Sequence, residues 1–276
     1  MNNLFDLSGK VALITGAGGL LGPKHAEAII EYGGTVVITD WHEDRAIAKA
    51  TELNLKYGKG KALSYYMNVT DKTSIEAVLN DLELKGMNVN ILINNAAKDP
   101  KVKKGAGSLT PDSRFETMTE EYWEEGTSAA VKGTFLCSQA VGNRMLKNGG
   151  GVILNVSSDL GVIAPDQRLY RKEGISEDMQ NVKPITYSAA KWAIIGMTKY
   201  LGVYFADKGI RVNAISPTGV YNNHPEDFVK KLSNIIPMGR MADINEYKGA
   251  IVFLCSDASS YMTGENVVMD GGKSVW

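Results

Sequence analysis

The sequence has few of the residues that mark a disulfide-rich, metal-binding or membrane protein. Its only two cysteines, Cys137 and Cys255, have no histidine or second cysteine nearby at the spacing of metal ligands. We therefore expect both to be reduced packing residues, with no disulfide framework and no metal site. No apolar run reaches the roughly 20 residues of a transmembrane helix, and the N-terminus lacks the pattern of a signal peptide. These absences predict a cytoplasmic protein with no membrane partner.

An excess of charge of one sign is also missing. The 30 basic and 31 acidic residues give a formal net charge of −1, so no global field would attract nucleic acid, and we expect no such partner. No proline-rich or serine-rich linker divides the chain. We therefore predict one domain over residues 1–276, with 44% hydrophobic residues to form its core.

Apolar strand-like runs alternate with helical patterns along nearly the whole chain. We predict seven strands, which separate six helical segments. The strands are predicted at Val11–Ile14, Thr35–Asp40, Ala62–Met67, Val89–Asn94, Gly151–Val156, Ile210–Ile215 and Asn266–Asp270. Repeated β-α-β units with continuous apolar strands form a parallel sheet with helices on both faces. The predicted fold class is therefore α/β, with a Rossmann-like, doubly wound, seven-stranded parallel sheet.

The stretch T-G-A-G-G-L-L-G, residues 15–22, lies between the first strand and a helical pattern. Its glycines allow a tight turn and let backbone N–H groups approach a diphosphate at the positive end of the helix. A turn without a ligand also uses glycine, so this motif alone is a weak signal. Asp40, at the end of the second strand, is placed to accept hydrogen bonds from the adenosine ribose of NAD and to repel the extra phosphate of NADP. The alternative is that Asp40 caps the next helix.

Two long polar stretches, residues 98–113 and an insertion at about 161–184, interrupt the alternation. Both follow strands at their carboxyl ends, where open α/β sheets bind ligands.

In the segment Y-S-A-A-K, Tyr187 and Lys191 are four residues apart and therefore share one face of a helix. A nearby ammonium group stabilises a phenolate, and such a pair can exchange a proton with a substrate alcohol. Ser158 follows a buried strand and could hydrogen-bond the same oxygen.

Together these motifs resemble those of the short-chain dehydrogenase/reductase family, in the family's order and over nearly the whole chain. They are T-G-A-G-G-L-L-G, Asp40, I-N-N-A-A, N-V-S-S, Y-S-A-A-K, I-R-V-N-A-I-S-P and M-T-G-E-N-V-V-M-D-G-G. The resemblance implies an NAD(P)-dependent oxidoreductase that transfers a hydride between nicotinamide and an alcohol or ketone carbon. It assigns Tyr187 as general acid/base, Lys191 to the nicotinamide ribose and to lowering the tyrosine pKa, and Ser158 to orienting the small-molecule substrate.

The resemblance also implies the cofactor site. The residues expected to contact the cofactor are Gly16, Gly19, Leu20, Leu21, Gly22, Asp40, Trp41, Asn68, Val69, Asn95, Ala96, Ala97, Tyr187, Lys191, Pro217, Thr218, Gly219 and Val220. We predict NAD, with NADP less favoured, because no Lys or Arg lies within the glycine turn or immediately after Asp40.

Several positions depart from the family pattern. Leu20 replaces the middle glycine of the shorter members, and Gly16, Gly19 and Gly22 fit the spacing of extended relatives that act largely on nucleotide sugars. Ala130 replaces the Asn that commonly helps to hold a water near the lysine, so the proton relay must be built differently.

Three motifs mark a group within the family: G-A-G-G-L-L-G, A-P-D-x-x-L-Y in the long insertion, and S-P-T-G-V-Y-N-N-H-P. In these the chain is similar to bacterial surface-sugar oxidoreductases called flagellin modification protein A. This similarity implies a sugar or amino-sugar derivative of surface polysaccharide or flagellin glycan biosynthesis as substrate. A 3-oxoacyl-thioester reductase, or a simple sugar-acid or polyol dehydrogenase, would share every catalytic motif. A non-catalytic NAD-sensing scaffold is a remote alternative.

Basic residues in the two long stretches predict a polar, anionic, carbohydrate-type alcohol or ketone as substrate. The candidates are Lys98, Lys101, Lys103, Lys104, Arg168, Arg171 and Lys172, with His224 for a sugar hydroxyl. The alternative is that these are solvated loop charges.

Small residues along 122–141 and in the helix after Tyr187 predict a homotetramer of D₂ symmetry, unless they only pack on the sheet.

Overall fold

One parallel sheet of seven strands runs through the computed structural model, which describes residues 3–99 and 113–276. Lys101, Lys103 and Lys104, three of the expected substrate residues, lie outside the described residues. The strands are β1 (Val11–Ile14), β2 (Thr35–Asp40), β3 (Ala62–Tyr66), β4 (Ile91–Asn94), β5 (Gly151–Val156), β6 (Ile210–Pro217) and β7 (Asn266–Met269). The predicted strands are therefore confirmed within two residues at every boundary.

Seven α-helices connect these strands in the described ranges, one more than the sequence pattern predicts. They are α1 (Gly22–Glu31), α2 (Glu43–Tyr57), α3 (Lys72–Leu84), α4 (Glu120–Lys147), α5 (Ile185–Phe205), α6 (Glu226–Asn234) and α7 (Lys248–Cys255). The count differs because α6 and α7 both lie between β6 and β7. None of the helices described here is both long and apolar enough to cross a membrane.

The strand order, β3-β2-β1-β4-β5-β6-β7, reverses direction beside β1. Strand β1 pairs in parallel with β2 on one side and with β4 on the other. The chain therefore leaves the carboxyl ends of β1 and β4 in opposite directions, and a crevice opens between the two connections. This is the place where the sheet is expected to bind a nucleotide.

The core lies on both faces of the sheet because successive side chains of a strand point to opposite sides. In β1, Ala12 and Ile14 belong to a cluster with α1 and α7, whereas Val11 and Leu13 belong to a second cluster with α3 and α4. Strands buried on both faces need apolar side chains on both, which explains the continuous apolar runs of β1 and β4.

Both cysteines are buried free thiols, Cys137 in α4 and Cys255 in α7. Burial raises the pKa of each thiol to about 12, so both remain protonated at neutral pH. Residues 3–99 and 113–276 also contain no group of three or more His, Cys, Asp or Glu side chains arranged to hold a metal ion.

The insertion between β5 and α5 contains two short 3₁₀ helices, Gln167–Tyr170 and Glu177–Met179. Two glutamine side chains tie its ends together: Gln167 bonds the backbone of Lys183 at 2.8 and 3.1 Å, and Gln180 bonds the backbone of Lys172 at 2.8 and 2.9 Å. Leu169 is buried in a small apolar cluster that includes residues of α6. The insertion is therefore an ordered layer packed on α6, above the carboxyl edge of the sheet.

Candidate active site

The glycine turn between β1 and α1 depends on two close backbone contacts. Gly16 has φ of +59°, and a Cβ there would lie 2.8 Å from Ala96 Cα. A Cβ on Gly22 would lie 2.5 Å from Ala17 Cα, so only glycine lets α1 begin this close to the turn. A Cβ on Gly19 would meet only the carbonyl oxygen of Gly16 in the same turn, at 3.2 Å. Its open side is where a diphosphate could approach the backbone.

Asp40 is buried at the end of β2 and points toward the glycine turn. Its Oδ2 accepts a hydrogen bond from Gly18 N at 3.0 Å, and its Oδ1 accepts one from His42 N at 3.0 Å. The N-cap of α2 is His42, and no side chain caps that helix. The helix-capping alternative for Asp40 is therefore wrong, and its carboxylate instead fixes the glycine turn.

The opposite wall of the crevice comes from the segment after β4. The backbone N–H groups of Asn95 and Ala96 both donate to Thr15 Oγ1 at 3.0 Å. The Asn95 side chain donates to the carbonyl oxygens of Thr15 and Gly16 at 3.0 and 3.1 Å. The ends of β1 and β4 are thus joined into one rigid cradle.

Nearly all of the expected cofactor residues line one cleft of about 1550 Å³. The exception is Gly22, which was expected to touch the cofactor but instead serves the close packing of α1 on Ala17. The cleft also contains the three expected catalytic residues, Ser158, Tyr187 and Lys191. The cradle, the open Gly19 backbone and the buried Asp40 fit a dinucleotide, whose nicotinamide would supply the hydride acceptor or donor.

Ser158 and the Tyr187–Lys191 pair come from neighbouring elements at the carboxyl edge of the sheet. Ser158 lies two residues after β5 and begins a 3₁₀ turn, and its Oγ donates to Asp159 Oδ1 at 2.8 Å. Lys191 lies one turn after Tyr187 in α5, with its Nζ 5.7 Å from the tyrosine ring centroid. The Lys191 ammonium is buried and donates to Val156 O at 2.8 Å.

The pKa of Tyr187 is shifted upward, whereas the family resemblance implies that Lys191 lowers it. Burial raises the pKa of the Tyr187 phenol well above its usual range, and the negative charges of Asp99 and Asp159 raise it further, while a hydrogen bond with Ser158 lowers it. Burial also lowers the pKa of Lys191 to about 8. In the protein alone, desolvation therefore outweighs the attraction between ammonium and phenolate.

Ala130, at the position where the family pattern has an asparagine, is buried with Ala190 and Ile194 between α4 and α5. A small side chain suits this contact, because α4 and α5 approach closely. An example of that closeness is Gly126, where a Cβ would lie 2.7 Å from Thr186 Cβ. The Ala130 side chain therefore contributes packing and no polar group.

Several charged residues at the site were missed by sequence reasoning. Lys183 Nζ lies 4.0 Å from the Tyr187 ring centroid and 2.6 Å from Asp99 Oδ1. Asp159 and Lys273 form a buried ion pair of 2.8 Å beside Ser158. Their only sequence signal is position, since Asp159 follows Ser158 and Lys273 follows the terminal glycine pair.

Arg45, in the first turn of α2, also lines the cleft and was not predicted. A Cβ on Gly18 would lie 2.7 Å from its Cβ. A basic group is thus present near Asp40, although it is five residues further along the chain.

The expected substrate residues are only partly brought together. Lys98, Arg171 and His224 line the cleft, but Arg168 does not. The Arg168 side chain is 82% exposed and pairs with Asp166 at 2.7 Å, so the structure does not bring it into the cleft, and its role at the substrate stays a prediction. Lys98 and Arg171 are also paired with carboxylates, those of Glu125 at 2.7 Å and Glu177 at 2.6 Å.

His224 is arranged by its own loop and by α6. Its Nδ1 accepts a hydrogen bond from Asn222 N at 3.2 Å, and its ring stacks on Phe228 with centroids 5.4 Å apart. The imidazole therefore lies at the insertion side of the cleft, where a polar substrate group could meet it.

A glycine cradle at the switch point of a parallel sheet, together with Ser, Tyr and Lys at its carboxyl edge, defines a nucleotide-dependent oxidoreductase of alcohols and ketones. A family model described as "Enoyl-(Acyl carrier protein) reductase" matches residues 17–274. The chain belongs to the short-chain dehydrogenase/reductase family and uses NAD(P).

Similar proteins include two curated bacterial enzymes and a solved structure. The chain is 32% identical to the NAD-dependent glycerol dehydrogenase of Listeria innocua, over 98% of this chain and 96% of the relative. It is also 32% identical to the D-threitol dehydrogenase of Mycolicibacterium smegmatis, over 98% and 95%. The gluconate 5-dehydrogenase of Burkholderia cenocepacia, solved with NADP and tartrate, is 25% identical over 99% of this chain and 98% of that chain, with a TM-score of 0.83.

Proposed function

We propose that this enzyme interconverts a secondary alcohol and a ketone in a neutral, polyol-type carbohydrate substrate, with NAD as the preferred cofactor. The observation that carries the substrate class is charge pairing: the basic side chains Lys98, Arg171 and Lys183 at the substrate end of the cleft each have a carboxylate partner. Paired cations attract an anionic substrate less than free ones do. The glycerol and threitol dehydrogenases among the similar proteins support the same class.

The residues act on the proton of the substrate alcohol. Tyr187 accepts that proton in oxidation and returns it in ketone reduction, because its hydroxyl is beside Ser158 and the two together can hold the reacting oxygen. Lys191 is fixed by Val156 O below the tyrosine, where its charge favours the phenolate. The insertion over α6 limits the access of water to this end of the cleft.

A polyol panel tests the proposal directly. We expect glycerol, D-threitol or D-mannitol to reduce NAD⁺ with a rise in absorbance of the reduced nucleotide, and a sugar acid such as gluconate to react at least tenfold less efficiently in kcat/KM. Higher efficiency with gluconate than with any of the polyols would contradict the neutral substrate class.

The preference for NAD rests on Asp40, whose buried carboxylate would repel the 2′-phosphate of NADP. We expect calorimetry to show tighter binding of NADH than of NADPH. The Asp40→Ser variant should lower the ratio of the NADPH Kd to the NADH Kd at least tenfold, because Arg45 then faces the 2′-phosphate without a competing carboxylate. Asp207→Ser, which removes a carboxylate paired with Lys208 outside the cleft, is the matched control. Tighter binding of NADPH by the unmodified protein would contradict the preference.

A second candidate is the reduction of a 3-oxoacyl thioester. The cleft includes an apolar side formed by the insertion and α6, with Leu169, Tyr170, Phe228, Leu232 and Met241 among its lining residues. Such a surface suits an acyl chain, and the family model's description names an acyl carrier protein substrate. Faster reduction of acetoacetyl thioester than of any ketose would favour this candidate over the polyol.

The resemblance to surface-sugar oxidoreductases, the glycan-biosynthesis role and the cytoplasmic location stay predictions from the sequence.

We also propose a homotetramer, on the basis of apolar side chains exposed on α4 and α5. Phe135, Trp192 and Tyr200 are 52%, 52% and 68% exposed. Large apolar side chains on neighbouring helices are typical of a surface that another subunit covers.

A further inference from the structure

Lys273 is a buried cation with unused hydrogen-bonding capacity. It follows the turn after β7, lines the cleft and has a side chain only 7% exposed. An ammonium group carries three N–H donors. Among residues 3–99 and 113–276, the only acceptor hydrogen-bonded to Lys273 Nζ is Asp159 Oδ2, at 2.8 Å. A buried donor without an acceptor is costly, so the remaining donors indicate a place for a ligand oxygen.

Asp159 cannot be that ligand's main contact, because its own oxygens are already used. Its Oδ1 accepts from Ser158 Oγ and from Leu160 N, both at 2.8 Å. Its Oδ2 accepts from Thr218 Oγ1 at 2.8 Å in addition to Lys273. The carboxylate therefore accepts four hydrogen bonds, from groups in the segments that follow β5, β6 and β7.

This arrangement sets the position of Lys273 relative to the reacting oxygen. Ser158 Oγ and Lys273 Nζ bind opposite oxygens of one carboxylate, so the two groups are separated by a single side-chain functional group. Ser158 and Lys273 both line the cleft, so one substrate could meet both side chains.

We propose that Lys273 is a substrate-binding residue whose free N–H donors bind the oxygen on the carbon next to the reacting carbon. The enzyme would then select vicinal diols and α-hydroxy ketones over mono-alcohols and simple ketones. This inference rests on the proposed polyol activity and deepens it, because it names the part of the polyol that the site requires.

The test compares substrates that share a reacting carbon but differ in the neighbouring oxygens. The probes are glycerol against propan-2-ol and D-threitol against butan-2-ol, each with NAD⁺ and NADP⁺. We expect kcat/KM for the polyol to exceed that for the mono-alcohol at least tenfold in the unmodified enzyme. Lys273→Met should lower this ratio at least tenfold, which corresponds to about 1.4 kcal/mol.

Lys208→Met is the matched control, because it also removes an ammonium paired with one aspartate, but outside the cleft. In Lys208→Met, the ratio of kcat/KM for the polyol to that for the mono-alcohol should equal the ratio in the unmodified enzyme. A purely structural role for Lys273 would lower kcat/KM for both alcohols equally and leave the ratio unchanged, which would overturn the inference.

The double variant Asp159→Asn, Lys273→Met keeps the test decisive if the single variant fails to fold, since it leaves no unpaired buried charge. A ratio that stays low in the double variant supports direct binding by Lys273, whereas a ratio restored to the original value shows that Lys273 only neutralises Asp159. Equal turnover of polyol and mono-alcohol by the unmodified enzyme contradicts this inference alone. A lack of turnover of all four probes with both nucleotides contradicts the proposed function itself.

Discussion

At the scale of single residues, the site depends on ionisable groups that are held away from water. Tyr187 and Lys191 are both buried, and burial moves the pKa of the phenol up and that of the ammonium down. Each shift disfavours the charged form of its group. The Tyr187 phenol is therefore protonated at neutral pH, and the energy of forming a phenolate must come from what binds in the cleft.

Replacement of the catalytic tyrosine separates chemistry from cofactor binding. We expect Tyr187→Phe to lower kcat at least hundredfold, because general acid/base catalysis normally supplies that much, and to leave the Kd for NADH within about twofold. Tyr204→Phe, on the exposed part of the same helix, is the control and should keep full activity. Retention of more than about a tenth of the activity by Tyr187→Phe would show that another group moves the proton.

His25 in α1 predicts a dependence of stability on pH. Burial lowers its pKa to about 4, a hydrogen bond with Asn95 acts in the opposite direction, and its Nε2 has no hydrogen-bond partner in the described ranges. Because the unfolded chain takes up a proton near pH 6.5 and the folded protein does not, this group's contribution is lost as the pH falls from 6.5 towards 4.

We therefore expect the free energy of unfolding of the native protein to fall by about 2 kcal/mol more than that of His25→Gln between pH 7 and pH 5. Denaturant titrations at the two pH values measure this difference. Parallel losses in the two proteins would mean that His25 is protonated in the folded state.

At the scale of elements, the sequence predicted the strands better than the contacts between them. A continuous apolar strand such as β5 is recognisable from its own residues, because both of its faces are buried. The pairing of Asp159 with Lys273 joins positions 114 residues apart, and that of Lys183 with Asp99 joins positions 84 apart. No local pattern predicts such pairs, since only the folded sheet brings their loops to one edge.

The start of α1 is the element most sensitive to one added carbon. Gly22→Ala would place a Cβ 2.5 Å from the backbone at Ala17, so we expect a loss of about 1–3 kcal/mol of stability and weaker binding of NADH. Gly249→Ala in α7 is the control, because nothing lies within 4 Å of its added Cβ. Denaturation and calorimetry should show this control to be neutral or up to about 1 kcal/mol more stable. Equal behaviour of the two variants would contradict the close packing of the turn.

At the scale of the whole molecule, the sequence argument for assembly needs correction. The small residues along 122–141 were expected on an exposed face, but a Cβ on Gly126 or Gly133 would meet Thr186 or Val69. These two glycines therefore face other parts of the same chain and offer no surface to a second subunit. The assembly surface that we propose consists instead of large apolar side chains, which sequence periodicity could not separate from the core.

Light scattering at micromolar concentration should give a mass four times that of one chain. Trp192→Glu combined with Val203→Glu places charges on the exposed face of α5 and should reduce that mass. Leu84→Glu, which alters a residue 87% exposed at the end of α3, should leave it unchanged. A single-chain mass for the unmodified protein would contradict the homotetramer.

The central claim is that a hydride passes between a substrate carbinol carbon and nicotinamide in the cleft formed by Ser158, Tyr187 and Lys191. The most direct measurement is to incubate the enzyme with NAD⁺ and glycerol deuterated at carbon 2, and to analyse the reduced nucleotide by mass spectrometry. The account predicts one deuterium per reduced nucleotide, and formation of that nucleotide at least a hundredfold slower with Tyr187→Phe. Reduced nucleotide without deuterium, or none at all from the unmodified enzyme, would contradict it.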